Sequence, residues 1–77
     1  MRIKVFAVLK DYLPEEFEID FVPNTDGVKK SIIAKNASAA AILPKCRFAV
    51  GNAFVNENHV FSENDIVAVI PPSSGGW

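Results

Sequence analysis

The run Ile66-Val67-Ala68-Val69-Ile70 is apolar at every position, and Pro71-Pro72 follows it directly. A strand that is apolar on both faces belongs in the middle of a sheet. Proline has no amide proton to give a ladder, so the strand must stop at the two prolines and leave extended. Strands drawn from earlier residues must therefore flank it. The 77 residues hold one core and no second domain. Cys46 is the only cysteine, which excludes an internal disulfide, a paired-cysteine metal site and an iron–sulfur cluster.

Residues 2–9 alternate, with Ile3, Val5, Ala7 and Leu9 on one face and Arg2, Lys4, Phe6 and Val8 on the other. This predicts a first strand over 2–9. Asp11 and Pro14 mark a turn. Residues 16–22 then place Phe17, Ile19 and Phe21 inward and Glu16, Glu18 and Asp20 outward, the pattern of a half-buried antiparallel strand closing a hairpin. Pro23-Asn24-Thr25-Asp26-Gly27 breaks the alternation and holds candidate N-caps in Asn24 and Thr25. Val28, Ile32 and Ile33 predict a helix of about ten residues with Lys29, Lys30 and Lys35 outward. Ala37 to Leu43 predicts a second, shorter helix closed by Pro44. Arg47–Val50 and Ala53–Val55 read as strands about a Gly51-Asn52 turn. Asn56 to Asn64 reads as a polar loop, and 65–70 as the last strand.

Strand, strand, helix, short helix, strand, short strand, strand is the order of an α+β fold. It predicts a β-grasp, or ubiquitin-like roll, a mixed sheet with one main helix across one face. The first and last strands would lie parallel at its centre. The predicted core is Ile3, Val5, Phe17, Ile19, Val28, Ile32, Leu43, Val67 and Val69. The predicted division is a domain over 1–72 and a flexible tail over 73–77.

Eight basic and nine acidic residues leave a net charge of -1, with no basic stripe for nucleic acid. No apolar stretch approaches the roughly 20 residues of a membrane span, and the opening leads into a strand and not into a secretory signal. A lone cysteine suits a reducing compartment. The expectation is a soluble cytoplasmic protein. Cys46 reads as a small buried hydrophobe and His59 as a loop residue with no ligand near it in sequence. Glu15, Glu16 and Glu18 read as a solvated strand face and not a catalytic pair.

Ser73-Ser74-Gly75-Gly76 carries almost no side chain, and Trp77 follows. Such a segment can thread a narrow channel and present a carboxyl group there; a frayed terminus is the other reading. Phe48 to Val55, Glu63 to Pro72 and the Ser-Ser-Gly-Gly segment, with Ile3 to Ala7, resemble the MoaD/ThiS-type sulfur carriers. Within that family the likeness is greatest to the small-subunit branch of molybdopterin synthase. The specific element is the apolar strand followed by Pro-Pro-x-x-Gly-Gly. Trp77 departs from a family that ends at the two glycines, and Asn64 stands where glycine is common.

The resemblance implies a carrier that is not catalytic alone. The Gly76 carboxylate, with Gly75 beside it, would be adenylated by a partner enzyme using ATP, then converted to a thiocarboxylate. The sulfur would pass to a pterin precursor held by a larger synthase subunit. No cofactor or metal would be bound stably by this chain. The implied partners are the larger molybdopterin synthase subunit, a ubiquitin-activating-type adenylating enzyme and a processing hydrolase that removes Trp77. Pro71, Pro72, Ser73 and Ser74 would enter the partner, and the five residues from Pro72 to Gly76 reach roughly 17 Å. Phe6 and Val8 have two readings: cover by a loop, or part of a partner patch on the outer face of the central strands, since a helix covers only one face. Trp77 has three: removal, an added residue, or retention in a binder or stored precursor. A ubiquitin-like protein modifier, a thiamin-type sulfur carrier and a non-catalytic β-grasp binding module are the alternative functions.

Overall fold

The computed structural model describes residues 1–72; residues 73–77 lie outside the described residues. The strands are β1 (Arg2–Val5), β2 (Glu16–Glu18), β3 (Arg47–Val50), β4 (Ala53–Val55) and β5 (Ile66–Ile70), with one α-helix, α1 (Thr25–Lys35). They form a single sheet in the order β2-β1-β5-β3-β4. β5 is central, as its two apolar faces demand. β1 runs parallel to it, with Arg2 opposite Ile66 and Val5 opposite Val69. β3 runs antiparallel on its other side, with Phe48 opposite Val69 and Arg47 opposite Ile70. This is the β-grasp arrangement.

The helix starts where the sequence places its cap. The Asn24 side chain accepts a hydrogen bond from the Gly27 N–H at 2.7 Å, satisfying one orphan donor of the first turn. Asp26 in the first turn and Lys35 in the last complement the helix dipole. Gly27 lies inside the helix, because a Cβ there would stand 2.8 Å from the Val22 Cβ. Val28 and Ile32, one turn apart, are fully buried in the core with Ile3, Val5, Val67 and Val69. Lys29 and Lys35 lay their ammonium groups over the rings of Phe48 and Phe17 at 5.9 and 5.2 Å.

Four expectations are corrected. The first strand ends at Val5, not at residue 9; residues 7–11 form a 3-10 turn, and Ala7 takes φ 53°. Leu9 and Leu13 are buried four residues apart, so a helical spacing takes over from the strand alternation. The second strand ends at Glu18, beyond which Ile19 donates its N–H to the Met1 carbonyl, and β1 supplies no further partner. Ile19 is therefore only half-buried, and Phe21 is exposed and not inward.

The predicted second helix is two 3-10 turns, Ala37–Ala41 and Leu43–Lys45, with Pro44 inside the latter. Asn36 begins them: its Oδ1 accepts from the Ser38 N–H at 2.9 Å and its Nδ2 donates to the Tyr12 carbonyl at 2.8 Å. Proline is tolerated at the first helical positions, where its missing N–H costs nothing. Lastly, the polar loop 56–64 holds a core residue. Phe61 is buried, and its N–H donates to the Pro23 carbonyl at 2.8 Å.

Candidate functional site

With α1 on one face, no other element among the described residues covers the opposite face of the sheet. Register places its residues in rows. Lys4 stands opposite both Glu16 and Ala68, Ala68 opposite Ala49, and Ala49 opposite Phe54. Ile66 and Ile70 lie two residues either side of Ala68 on the same face of β5. The two alanines make a low floor. Ile66 and Phe54, each about half exposed (50% and 49%), rise beside it. Ala49 is almost fully buried, and the exposed apolar surface is that of Ile66 and Phe54 with the partly exposed Ala68 and Ile70, a grouping of the kind that interaction surfaces use.

Charge stands on the two strands that flank β5: Arg2 and Lys4 on β1, Arg47 on β3. Arg2 bridges Glu18 at 3.0 Å and Glu16 at 3.7 Å, closing off the β2 side. On the β4 side, the Arg47 guanidinium lies over the Phe54 ring, 3.9 Å from its centre.

The final strand leaves from the edge of this face. β1 and β5 are parallel, so the Phe6–Ala7 bend and the Pro71-Pro72 exit stand at the same end of the sheet. Arg47 stands on the opposite flank of that exit, across from Ile70. Pro71 is buried and Pro72 is exposed. The described chain thus leaves the sheet at the margin of the apolar face, at Pro71 and Pro72.

Of the residues singled out from sequence, Phe6 keeps an extended backbone (φ -132°, ψ 162°). It lies one step beyond the Val5–Val69 pair, in line with the outer-face row that holds Ile70. Val8 is exposed but sits on the 3-10 turn and not on a strand face, which corrects its expected position. The left-handed Ala7 ends the alternation that would have carried it there. Ser73, Ser74, Gly75, Gly76 and Trp77 lie outside the described residues. The sequence reading did not single out Phe54, Ile66 or Arg47. The signal was present in β5: once a helix covers the Val67 and Val69 face, Ile66, Ala68 and Ile70 must form the other.

Among the described residues no group of His, Cys, Asp and Glu is arranged to hold a metal ion. Depressions of about 330 and 210 Å³ border the helix start, the first lined by Asn24, Thr25, Asp26, Glu57 and Asn58. The first is walled by polar and charged residues, and the second also has Pro44, Phe48 and Val55 in its wall. Cys46 is half-buried; burial pushes its thiol up to about 11, with Lys29 pulling weakly the other way. It is a protonated thiol at neutral pH, with its Sγ donating to the Ile42 carbonyl at 3.4 Å. His59 is partly buried with its ring edge-on to Phe61 at 5.1 Å. No helix among the described residues is long and apolar enough to cross a membrane.

The strand order and the single helix across one face define a β-grasp domain. The chain is similar to several known proteins. A model of the ThiS family matches residues 3–76. The molybdopterin synthase sulfur carrier subunit of Chlamydomonas reinhardtii is 30% identical over 83 residues, spanning 99% of this chain and 100% of its own. SAMP1 from Haloferax volcanii superimposes with a TM-score of 0.80 at 14% identity, over 97% of each chain. A chain in the complex of subunits 1 and 2 of molybdopterin-converting factor from Helicobacter pylori 26695 superimposes at 0.70 with 21% identity, over 97% of this chain and 96% of that one. At such identities the two structures bear on the fold alone. The chain belongs to the ThiS family. It is a sulfur-carrier homologue of the molybdopterin synthase small subunit.

Proposed function

We propose that this chain carries sulfur as a thiocarboxylate on Gly76 for the synthesis of molybdopterin. The observation that carries the reading is the open face of Phe6, Ile66, Ala68, Ile70 and Phe54 lying at the root of the Pro-Pro-Ser-Ser-Gly-Gly segment. One surface docks a partner and the adjoining segment reaches into it.

The chemistry asks little of the carrier. A carboxylate is a poor electrophile, because its charge repels a nucleophile and oxide is a poor leaving group. The adenylating partner attaches AMP from ATP to the Gly76 carboxylate and releases pyrophosphate. A sulfur nucleophile then displaces AMP and leaves the thiocarboxylate. Glycines at the tip let the backbone approach the partner's groups closely. Fixing each tail residue costs about 1–2 kcal/mol, and the diproline reduces that cost by restricting the free chain. The docking face supplies the remainder.

Gly76 bears a carboxylate only once the Gly76–Trp77 peptide bond is hydrolysed, so a processing hydrolase belongs to the same proposal. The larger molybdopterin synthase subunit is the partner that holds the sulfur-accepting pterin precursor. The test is intact mass. A chain ending at Gly76 is incubated with ATP, sulfide and the adenylating enzyme. A gain equal to sulfur replacing oxygen supports the carrier; isopeptide adducts to lysine support a protein modifier; no change under active enzyme leaves a binding module. Native protein that retains Trp77 and still sustains cofactor synthesis refutes a Gly76 thiocarboxylate.

A further inference from the structure

Arg47 is a charge on the β4 side of the apolar face that makes no ion pair among the described residues. On the β2 side Arg2 is held by Glu16 and Glu18, Lys10 is held by Glu15, and Lys4, though it makes no ion pair, stands opposite Glu16 in the register. Arg47 has no carboxylate within ion-pair distance among the described residues. Its guanidinium lies on the Phe54 ring, which restrains the long side chain and leaves the N–H edges of the fork free. It stands directly across from Ile70, the last residue before the diproline.

When the apolar face is covered, this group is covered with it. A guanidinium removed from water without a partner costs more than the surrounding apolar contacts return. A partner surface that is apolar throughout would therefore be rejected. We infer that Arg47 selects the docking partner by pairing, in the bidentate manner of an arginine fork, with an Asp or Glu carboxylate that the larger synthase subunit presents beside its channel. The pair would fix the register of docking at the point where the tail enters. This rests on the docking reading above and adds to it a specific charge that the partner must carry.

Binding of the full chain to the purified larger subunit is measured by calorimetry at low and high salt, for the wild type, Arg47→Leu, Arg47→Lys, Arg47→Glu and Ile66→Asp. Arg47 is exposed, so its variants retain the fold, and thermal unfolding checks this. Arg47→Leu should weaken binding about 30-fold or more, since removing one member of a desolvated pair leaves the other unpaired. Arg47→Lys should restore only part of it, because an ammonium cannot bind bidentately. The salt dependence of the wild type should flatten in Arg47→Leu. A charge reversal at one carboxylate of the larger subunit should rescue Arg47→Glu. If Ile66→Asp abolishes binding but Arg47→Leu binds as tightly as the wild type, the pairing is refuted while the docking face stands. If neither variant weakens binding, the docking face itself is refuted, and the role of Arg47 with it.

Discussion

The Thr25 hydroxyl donates to the Glu57 carbonyl at 3.1 Å, joining the first residue of α1 to the loop between β4 and β5. Thr25 is the one buried polar residue among the described core, and its contact spans 32 positions in sequence. Thr25→Val keeps the shape and removes the bond. It should cost about 1 kcal/mol, against nearly nothing for Thr25→Ser beyond the lost methyl. Urea unfolding of the two variants measures the difference.

Phe61 makes that same loop part of the core. Its ring is 3% exposed, and its backbone is tied to Pro23. Phe61→Ala should cost about 3–5 kcal/mol, comparable to Ile32→Ala at about 2–5 kcal/mol in the helix. Ile19→Ala should cost distinctly less than either, because Ile19 is only half-buried. Equal losses at Ile19 and Ile32 in chemical denaturation would contradict these positions.

Ala7 holds a left-handed backbone at φ 53°, where a Cβ approaches the carbonyl oxygen. The strain is about 1–2 kcal/mol, and glycine would relieve it while losing roughly 0.5–1 kcal/mol in chain entropy. Ala7→Gly should therefore be neutral to slightly stabilising. Ala7→Val, branched at Cβ, should be clearly destabilising. Thermal melting of the pair gives the order Gly, Ala, Val.

Burial holds the Cys46 thiol at about 11, above its ordinary value of 9.0. A raised folded value means that the native state favours the protonated form. Its stabilising contribution is complete below pH 9 and is lost as pH rises through about 11. Alkylation by iodoacetamide at pH 8 should be much slower in the native protein than in urea, since the thiolate is the reacting species. Equal rates would place the thiol in water.

Strand identity came from local pattern wherever one face is covered and the other is wet. Ile3 and Val5, Phe17 between Glu16 and Glu18, and the Val67 and Val69 set were legible because side chains alternate across a sheet with period two. The Asn24 cap and the stop at Pro71 were legible because they depend on one or two residues' own backbone chemistry. The central place of β5 followed from its apolar run, and with it the β-grasp order. Strand length was not legible. A strand persists only while a neighbour offers hydrogen bonds, and that neighbour is distant in sequence. So β1 gave way after Val5 to a turn that buries Leu9 and Leu13, and β2 stopped when β1 ran out. The burial of Phe61 and the company of Arg47, Phe54 and Ile70 were likewise decided by tertiary structure alone. Nothing local distinguishes a loop phenylalanine that reaches the core from one that does not. Nor does a sequence reveal which arginine lies on which ring, since that depends on register between strands separated by a turn or by a whole crossover.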